Sequence, residues 1–233
     1  QRWNVKNLYN DYVEMLEKEN IDVLSICTPN VTHFEILERA VNTGVKAVFC
    51  EKPIADSLEK ADQMVAIAKE KGVILLVNHR RRWDGLYQEI CQYIKSGRLG
   101  DIQQVSCYYN AGIANTGCHL FDVLRMFFGE VKTVTAWYKD DLNKADPNMD
   151  GYVMFENGVS VSIQSMDIKN YLIFEFDIYG SKGRLRIEHN GFKLGYWSAD
   201  ESKRYKSLNE LVPQTPPFTI SKPAMFKNSM INI

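Results

Sequence analysis

Val45-Lys46-Ala47-Val48-Phe49-Cys50-Glu51-Lys52-Pro53 is a short apolar run that stops on an acid, a base and a proline. An apolar run of this length, bounded by turn residues, is what a strand buried on both faces looks like. Two more of its kind flank it. Upstream, Asp22-Val23-Leu24-Ser25-Ile26-Cys27 ends on the turn Thr28-Pro29-Asn30; downstream, Val73-Ile74-Leu75-Leu76-Val77 ends on Asn78-His79-Arg80-Arg81-Arg82-Trp83. Between the runs the apolar period changes. Phe34, Ile36, Leu37, Ala40 and Val41 recur at helical spacing over Val31 to Thr43, and Gly44 stands where a C-terminal cap is expected. Leu58, Ala61, Met64, Val65 and Ala68 form one face of a second helix, which Asp56 and Glu59 open as a capping box and Gly72 ends. With a helix over Asp11 to Glu19 in front, the segment to residue 78 carries a β-α-β-α-β unit, the pattern of a parallel sheet covered by helices.

Beyond about residue 100 the runs alternate instead. Ile102 to Tyr109, Val131 to Tyr138, Tyr152 to Phe155, Val159 to Gln164, Ile173 to Tyr179 and Arg184 to His189 read as strands of a mostly antiparallel open sheet with one wetted face. Asn157-Gly158 predicts a type I′ hairpin turn; residues 180–183 and Asn190-Gly191 supply further turns. One helix is expected from about His119 to Phe128, closed by Gly129. The tail beyond Asn209, with Pro213, Pro216, Pro217 and Pro223, has no clear period.

Composition excludes several classes of function. At 233 residues, 45% hydrophobic and 24% charged, the chain has the make-up of a globular protein with a real core. No apolar run approaches the roughly 20 residues of a membrane span. The net charge is -1, without a long block of either sign, so no nucleic-acid footprint is expected. The five cysteines, Cys27, Cys50, Cys91, Cys107 and Cys118, are odd in number and lack CxxC spacing. They read as buried free thiols in a reducing, cytoplasmic setting, with no metal site. Gln1-Arg2-Trp3-Asn4 carries no signal-peptide pattern and reads as a chain entered partway through.

In doubly wound sheets ligands sit beyond the carboxyl ends of the strands. The segments Thr28-Pro29-Asn30, Glu51-Lys52-Pro53 and Asn78 to Trp83 follow consecutive strands and would face one crevice. Each alone has a plain structural explanation; their succession points to a site. Together with Asn115-Thr116-Gly117-Cys118-His119-Leu120-Phe121-Asp122, they resemble the Gfo/Idh/MocA family of nicotinamide-dependent sugar oxidoreductases. The family's Glu-Lys-Pro stands intact as Glu51, Lys52 and Pro53, and its Gly-x-His-x-x-Asp as Gly117, His119 and Asp122; the likeness runs from roughly Val5 to Trp197.

The resemblance implies an α/β plus α+β architecture. An incomplete Rossmann-like parallel sheet over 1–78 would bind the dinucleotide, and an α+β domain over 79–233, with a large, mostly antiparallel open sheet, would serve substrate binding and oligomerisation. It implies NAD or NADP as cofactor, a sugar, polyol or nucleotide-sugar alcohol as substrate, and a homodimer or homotetramer. Thr28, Pro29, Asn30 and His33 would lie along the nicotinamide half of the cofactor. Glu51, Lys52 and Pro53 would sit where cofactor and substrate meet, commonly with a cis peptide before the proline. His119 would be the general base, Lys52 the cation beside the reacting oxygen, and Arg81, Tyr109, Asn110 and Asn115 further substrate contacts. Asp122, three residues after His119 on the same helix, is expected only to pair or cap locally.

Two departures bear on that reading. No glycine precedes Gly44, so the G-x-G-x-x-G loop and its strand, with the residue that selects NAD or NADP, are expected before residue 1. The chain alone would then be inactive, and its exposed sheet edge and apolar surface would favour association. The family's frequent Asp four residues before the histidine is here Asn115, and an amide is no proton carrier near neutral pH, so the base role falls on His119. Two other functions share this scaffold: a non-catalytic ligand-binding or regulatory module, and a NAD-dependent glycosidase that oxidises and re-reduces its sugar.

Overall fold

The computed structural model describes residues 5–139 and 145–218; the first four residues and the tail around Pro223 lie outside them. The chain divides into two compact units between Asn78 and His79.

The first unit holds α1 (Tyr12–Lys18), β1 (Val23–Ile26), α2 (His33–Ala40), β2 (Ala47–Cys50), α3 (Leu58–Lys71) and β3 (Ile74–Val77). Its sheet is parallel with order β1-β2-β3. Ile26 is level with Cys50, and Cys50 with Val77, so the three following loops leave the sheet abreast. Only β2 is buried at every position; β1 alternates, and Ile74 on β3 is 59% exposed. The sequence expected Val73 to Val77 to be covered on both faces. In a three-stranded sheet β3 is an edge, and Ile74 stays in solvent. The core gathers Leu16, Ile26, Leu37, Val48, Cys50 and Met64.

Local chemistry explains the helix ends. Asp11 caps α1 by accepting from the Val13 amide at 2.8 Å. The cap of α3 is Ser57, which accepts from Lys60 N at 3.2 Å, not Asp56; that carboxylate takes the Lys60 ammonium at 2.8 Å. Gly72 closes α3 with φ 69°, a left-handed conformation that costs glycine little. Gly44 lies past the end of α2, whose cap is Val41.

The second unit holds α4 (Gly85–Lys95), β4 (Ile102–Tyr109), α5 (Cys118–Phe128), β5 (Val131–Tyr138), β6 (Met149–Phe155), β7 (Ser160–Ser165), β8 (Phe174–Gly180), β9 (Gly183–Glu188), β10 (Lys193–Glu201) and β11 (Asn209–Gln214). The strand order is β11-β10-β9-β8-β4-β7-β6-β5, and every pair is antiparallel except β4–β7. α4 contributes Leu86, Tyr87 and Ile90 to the core, α5 contributes Leu120, Val123, Leu124 and Phe127, and the strands supply Val105, Phe155, Phe176, Ile178, Leu185 and Ile187. Each such side chain gains about 1.5–3 kcal/mol from leaving water.

Three expectations change here. The helix α4, opened by Asp84 accepting from Leu86 N at 3.0 Å, and the strands β10 and β11 were not foreseen. Pro213 pairs with Trp197 on β11, an edge strand, where a missing N–H can point away from the ladder. At Asn157-Gly158 only Gly158 has positive φ (87°). Gly158 N donates to Phe155 O at 3.0 Å and Phe155 N to Val159 O at 2.9 Å, so the hairpin closes by a turn ending in one left-handed glycine, not by type I′. No helix among the described residues is long and apolar enough to cross a membrane.

Candidate functional site

The carboxyl edge of the three-stranded sheet is stitched together by side chains. After β1, the Thr32 hydroxyl donates to Pro29 O at 2.8 Å and lies 2.7 Å from the Thr28 hydroxyl. Asn30 Nδ2 donates to Ala55 O at 3.4 Å. His33, only 1% exposed, places Nε2 at 2.9 Å from Thr28 O and Nδ1 at 3.1 Å from Ile54 O. After β2, Glu51 Oε1 accepts from Asn78 Nδ2 at 2.7 Å, and Oε2 from the Lys52 amide at 3.3 Å. The Lys52–Pro53 bond is cis. Thr28 and Pro29 are exposed, and Lys52 is half-buried.

Of the thiols, Cys50, Cys91 and Cys107 are buried as expected, whereas Cys27 is exposed. Burial, with Glu51 adding to it, pushes the Cys50 thiol up to about 12 and raises Cys27 as well. Neither is poised as a nucleophile. Among the described residues no cluster of His, Cys, Asp or Glu could hold a metal.

In the second unit a 3-10 turn, Arg80–Trp83, leads into α4. Arg81 is 5% exposed and its guanidinium lies 3.7 Å over the Phe174 ring. Burial lowers its pKa, partly offset by the neighbouring Tyr87 hydroxyl. Its Nε and Nη1 have no hydrogen-bond partner among the described residues. On α5, His119 and Asp122 stand about one turn apart. Asp122 Oδ1 accepts from Arg82 Nε at 2.7 Å and Oδ2 lies 3.9 Å from His79 Nδ1; these partners lie across some forty residues of chain, not within the helix as its spacing suggested. The His79 ring meets that of His119 edge-on, centroids 5.9 Å apart.

The segment before α5 is a π-turn, Gly112–Gly117, held by a carboxylate that the sequence did not single out. Asp146 accepts from Ala114 N at 2.7 Å and Asn115 N at 2.9 Å, and Asn148 Oδ1 from Gly112 N at 3.1 Å. A side chain at Gly112 would come within 2.1 Å of the Asp146 carboxylate, and its φ of 87° disfavours one anyway. Asp146-Pro147-Asn148 announces a turn, but its target some thirty residues upstream is invisible in a linear reading.

Three expected ligand contacts are spent on the fold. His33 faces carbonyls from inside the first unit. Tyr109 is fully buried, its hydroxyl donating to Met149 O and accepting from Met149 N, each at 2.9 Å. Asn110 is fully buried between Tyr171 O (2.5 Å) and Ile173 N (3.3 Å). Buried polar atoms must find such partners, so these side chains position backbone. Thr28, Pro29, Asn30, Glu51, Lys52 and Pro53 gather at the sheet edge of the first unit; Arg81, Asn115 and His119 belong to the second. Along this edge the Thr28 side chain is exposed, and those of Asn30 and Lys52 are half-buried.

Comparison with known proteins places these features. Residues 1–79 match the model of the "Oxidoreductase family, NAD-binding Rossmann fold", and residues 110–186 that of the "GFO/IDH/MocA C-terminal domain". Inositol 2-dehydrogenase of Rhizobium meliloti is 28% identical over 196 residues, 73% of this chain and 58% of the relative. The WlbA dehydrogenase from Bordetella pertussis, solved with NADH and UDP-GlcNAcA, superposes with a TM-score of 0.74 at 22% identity, covering 86% of this chain and 65% of that one. Levoglucosan dehydrogenase, solved with NADH and L-sorbose, gives 0.76 at 20% identity, covering 92% and 66%. At such identities the two structures establish the fold. The chain spans between 28% and 62% of the length of the curated relatives it matches.

Proposed function

Because the chain belongs to the Gfo/Idh/MocA family of NAD-binding oxidoreductases, we propose that it serves hydride transfer between NAD or NADP and the alcohol carbon of a sugar, polyol or nucleotide sugar. The observation that carries this reading is the intact Glu51-Lys52-Pro53 loop, fastened at the edge of a parallel sheet, in a chain whose second unit presents His119 on a helix. The nicotinamide, when bound, takes up or returns the hydride.

The protein has to orient the alcohol and manage one proton. His119 accepts the hydroxyl proton, a role worth about 10²–10⁴ in rate. The Lys52 ammonium favours the alkoxide that develops as that proton leaves. Arg81 and Asn115 are the substrate contacts; the unpartnered N–H groups of Arg81 suit hydroxyl, carboxylate or phosphate oxygens. Thr28, Pro29, Asn30, Glu51 and Pro53 line the nicotinamide half of the cofactor. The working form is a cytoplasmic homodimer or homotetramer.

The test uses the full-length gene product, screened with free polyols and nucleotide sugars for nicotinamide reduction. His119→Ala and Lys52→Ala should each lower kcat by about 100-fold or more, with the fold intact by circular dichroism. Near wild-type turnover in either variant overturns that residue's role.

A further inference from the structure

We infer that His33 is a positioning residue, fixing the loop that presents Lys52 through the contacts of its buried ring with Thr28 O, Ile54 O and the Cys50 thiol rather than by touching the cofactor. The inference rests on the role proposed for Lys52. The imidazole is 1% exposed. One nitrogen faces Thr28 O, two residues beyond β1, and the other faces Ile54 O, two residues beyond Lys52, at 2.9 and 3.1 Å. Cys50 Sγ, at the end of β2, lies 3.3 Å from Nδ1. A single ring therefore ties the loop after β1, the last residue of β2 and the loop after it.

The geometry suits an imidazole particularly well. Two carbonyls flank a short, rigid side chain; a neutral ring carries one N–H and donates to one of them, while its other nitrogen is an acceptor, with the Cys50 thiol 3.3 Å from Nδ1. An apolar replacement would leave the carbonyl that accepts the ring N–H without its partner, a cost of about 1–3 kcal/mol. The loop has further ties, among them Asn30 Nδ2 to Ala55 O and Cys50 Sγ to Glu51 O, each at 3.4 Å, and the 2.7 Å bond of Glu51 secures the N-terminal side of Lys52 to Asn78. Glu51 and His33 thus hold Lys52 from its two sides. Losing the Ile54 anchor frees the C-terminal side, and a displacement of about 1 Å at a catalytic group costs on the order of 100-fold in rate.

The experiment compares His33→Leu and His33→Gln in the full-length gene product. His33→Leu should lower kcat by about 10- to 100-fold while the KM for nicotinamide cofactor stays within about threefold. It should also speed amide hydrogen exchange of residues 51–55 in the cofactor-free protein. His33→Gln, which keeps an amide donor, should recover about tenfold of the loss. In the Lys52→Ala background His33→Leu should add nothing, since it acts through that lysine. Additive losses overturn the inference, as does a rise in KM with kcat held, which would make His33 a direct cofactor contact. If Lys52→Ala keeps full turnover, the role of Lys52 fails, and unchanged exchange in the His33 variants would sink the latch separately. Should His33→Leu not fold, His33→Gln still decides: faster exchange of residues 51–55 together with a lower kcat at unchanged cofactor KM supports the latch, and wild-type exchange, or faster exchange without loss of kcat, overturns it.

Discussion

The two units hold their chemistry by different means. In the first, Lys52 sits in a loop, beside which His33 meets Ile54 O, Asn30 donates to Ala55 O and Glu51 accepts from Asn78. In the second, His119 and Asp122 stand on α5, whose Leu120, Val123, Leu124 and Phe127 are buried in a broad core. A loop site is set by a few directional bonds and tolerates their loss poorly. A helix site inherits its position from many dispersed contacts, so single polar changes near it should matter less than a cavity beneath it.

The largest expected effect tests the packed side of that contrast. Phe176 is fully buried and its ring meets those of Phe174 and Phe127, with centroids 5.2 and 6.4 Å away. Phe176→Ala should cost about 3–5 kcal/mol in denaturant unfolding of the second unit; a loss below 1 kcal/mol would mean that the core can collapse around the gap. An intermediate effect belongs to Asp146, the point where the second unit does rely on a directional bond. Removing its carboxylate leaves the amides of the exposed Ala114 and Asn115 to water, a net loss of about 0.5–1.5 kcal/mol per bond. Asp146→Asn should recover part of that, and kcat should fall with Asp146→Ala if His119 is the base. Unchanged stability in Asp146→Ala would show that α5 needs no tether.

The smallest effect sharpens the comparison through pH. Burial raises the pKa of Asp84, outweighing the lowering by the Leu86 and Tyr87 amides and by Arg81 and Arg80. A carboxyl whose folded value lies above its unfolded one, about 3.9, stabilises the fold below that unfolded value and loses this contribution as pH rises through the folded one. Asp84→Asn keeps the helix cap but not the charge. It should therefore be more stable than wild type at pH 7, a gain that vanishes in melts below pH 4.

Much of the fold could be read from residue order. Val23 to Ile26, Ala47 to Cys50 and Ile74 to Val77 are strands because apolar runs bounded by Pro, Gly and polar turns leave few alternatives. The alternating strands from Ile102 onward announced themselves equally well. α4 was missed although Leu86, Tyr87, Ile90, Cys91 and Tyr93 share its buried face, because the arginine-rich segment before it read as a ligand loop. β10 and β11 were missed because their exposed, mixed positions, Pro213 among them, carry no period.

The elements that bear Glu51, Lys52, Pro53 and His119 followed from propensity, period and turn chemistry, which act over a few residues, and the motif residues themselves were marked out by the family resemblance. Whether a polar side chain meets a ligand or a carbonyl followed from neither. His33 finds Ile54 and Asn110 finds Tyr171 across 21 and 61 residues of chain. Only closure of the fold brings those acceptors near, and the cost of leaving a buried donor unpaired then settles what each side chain does.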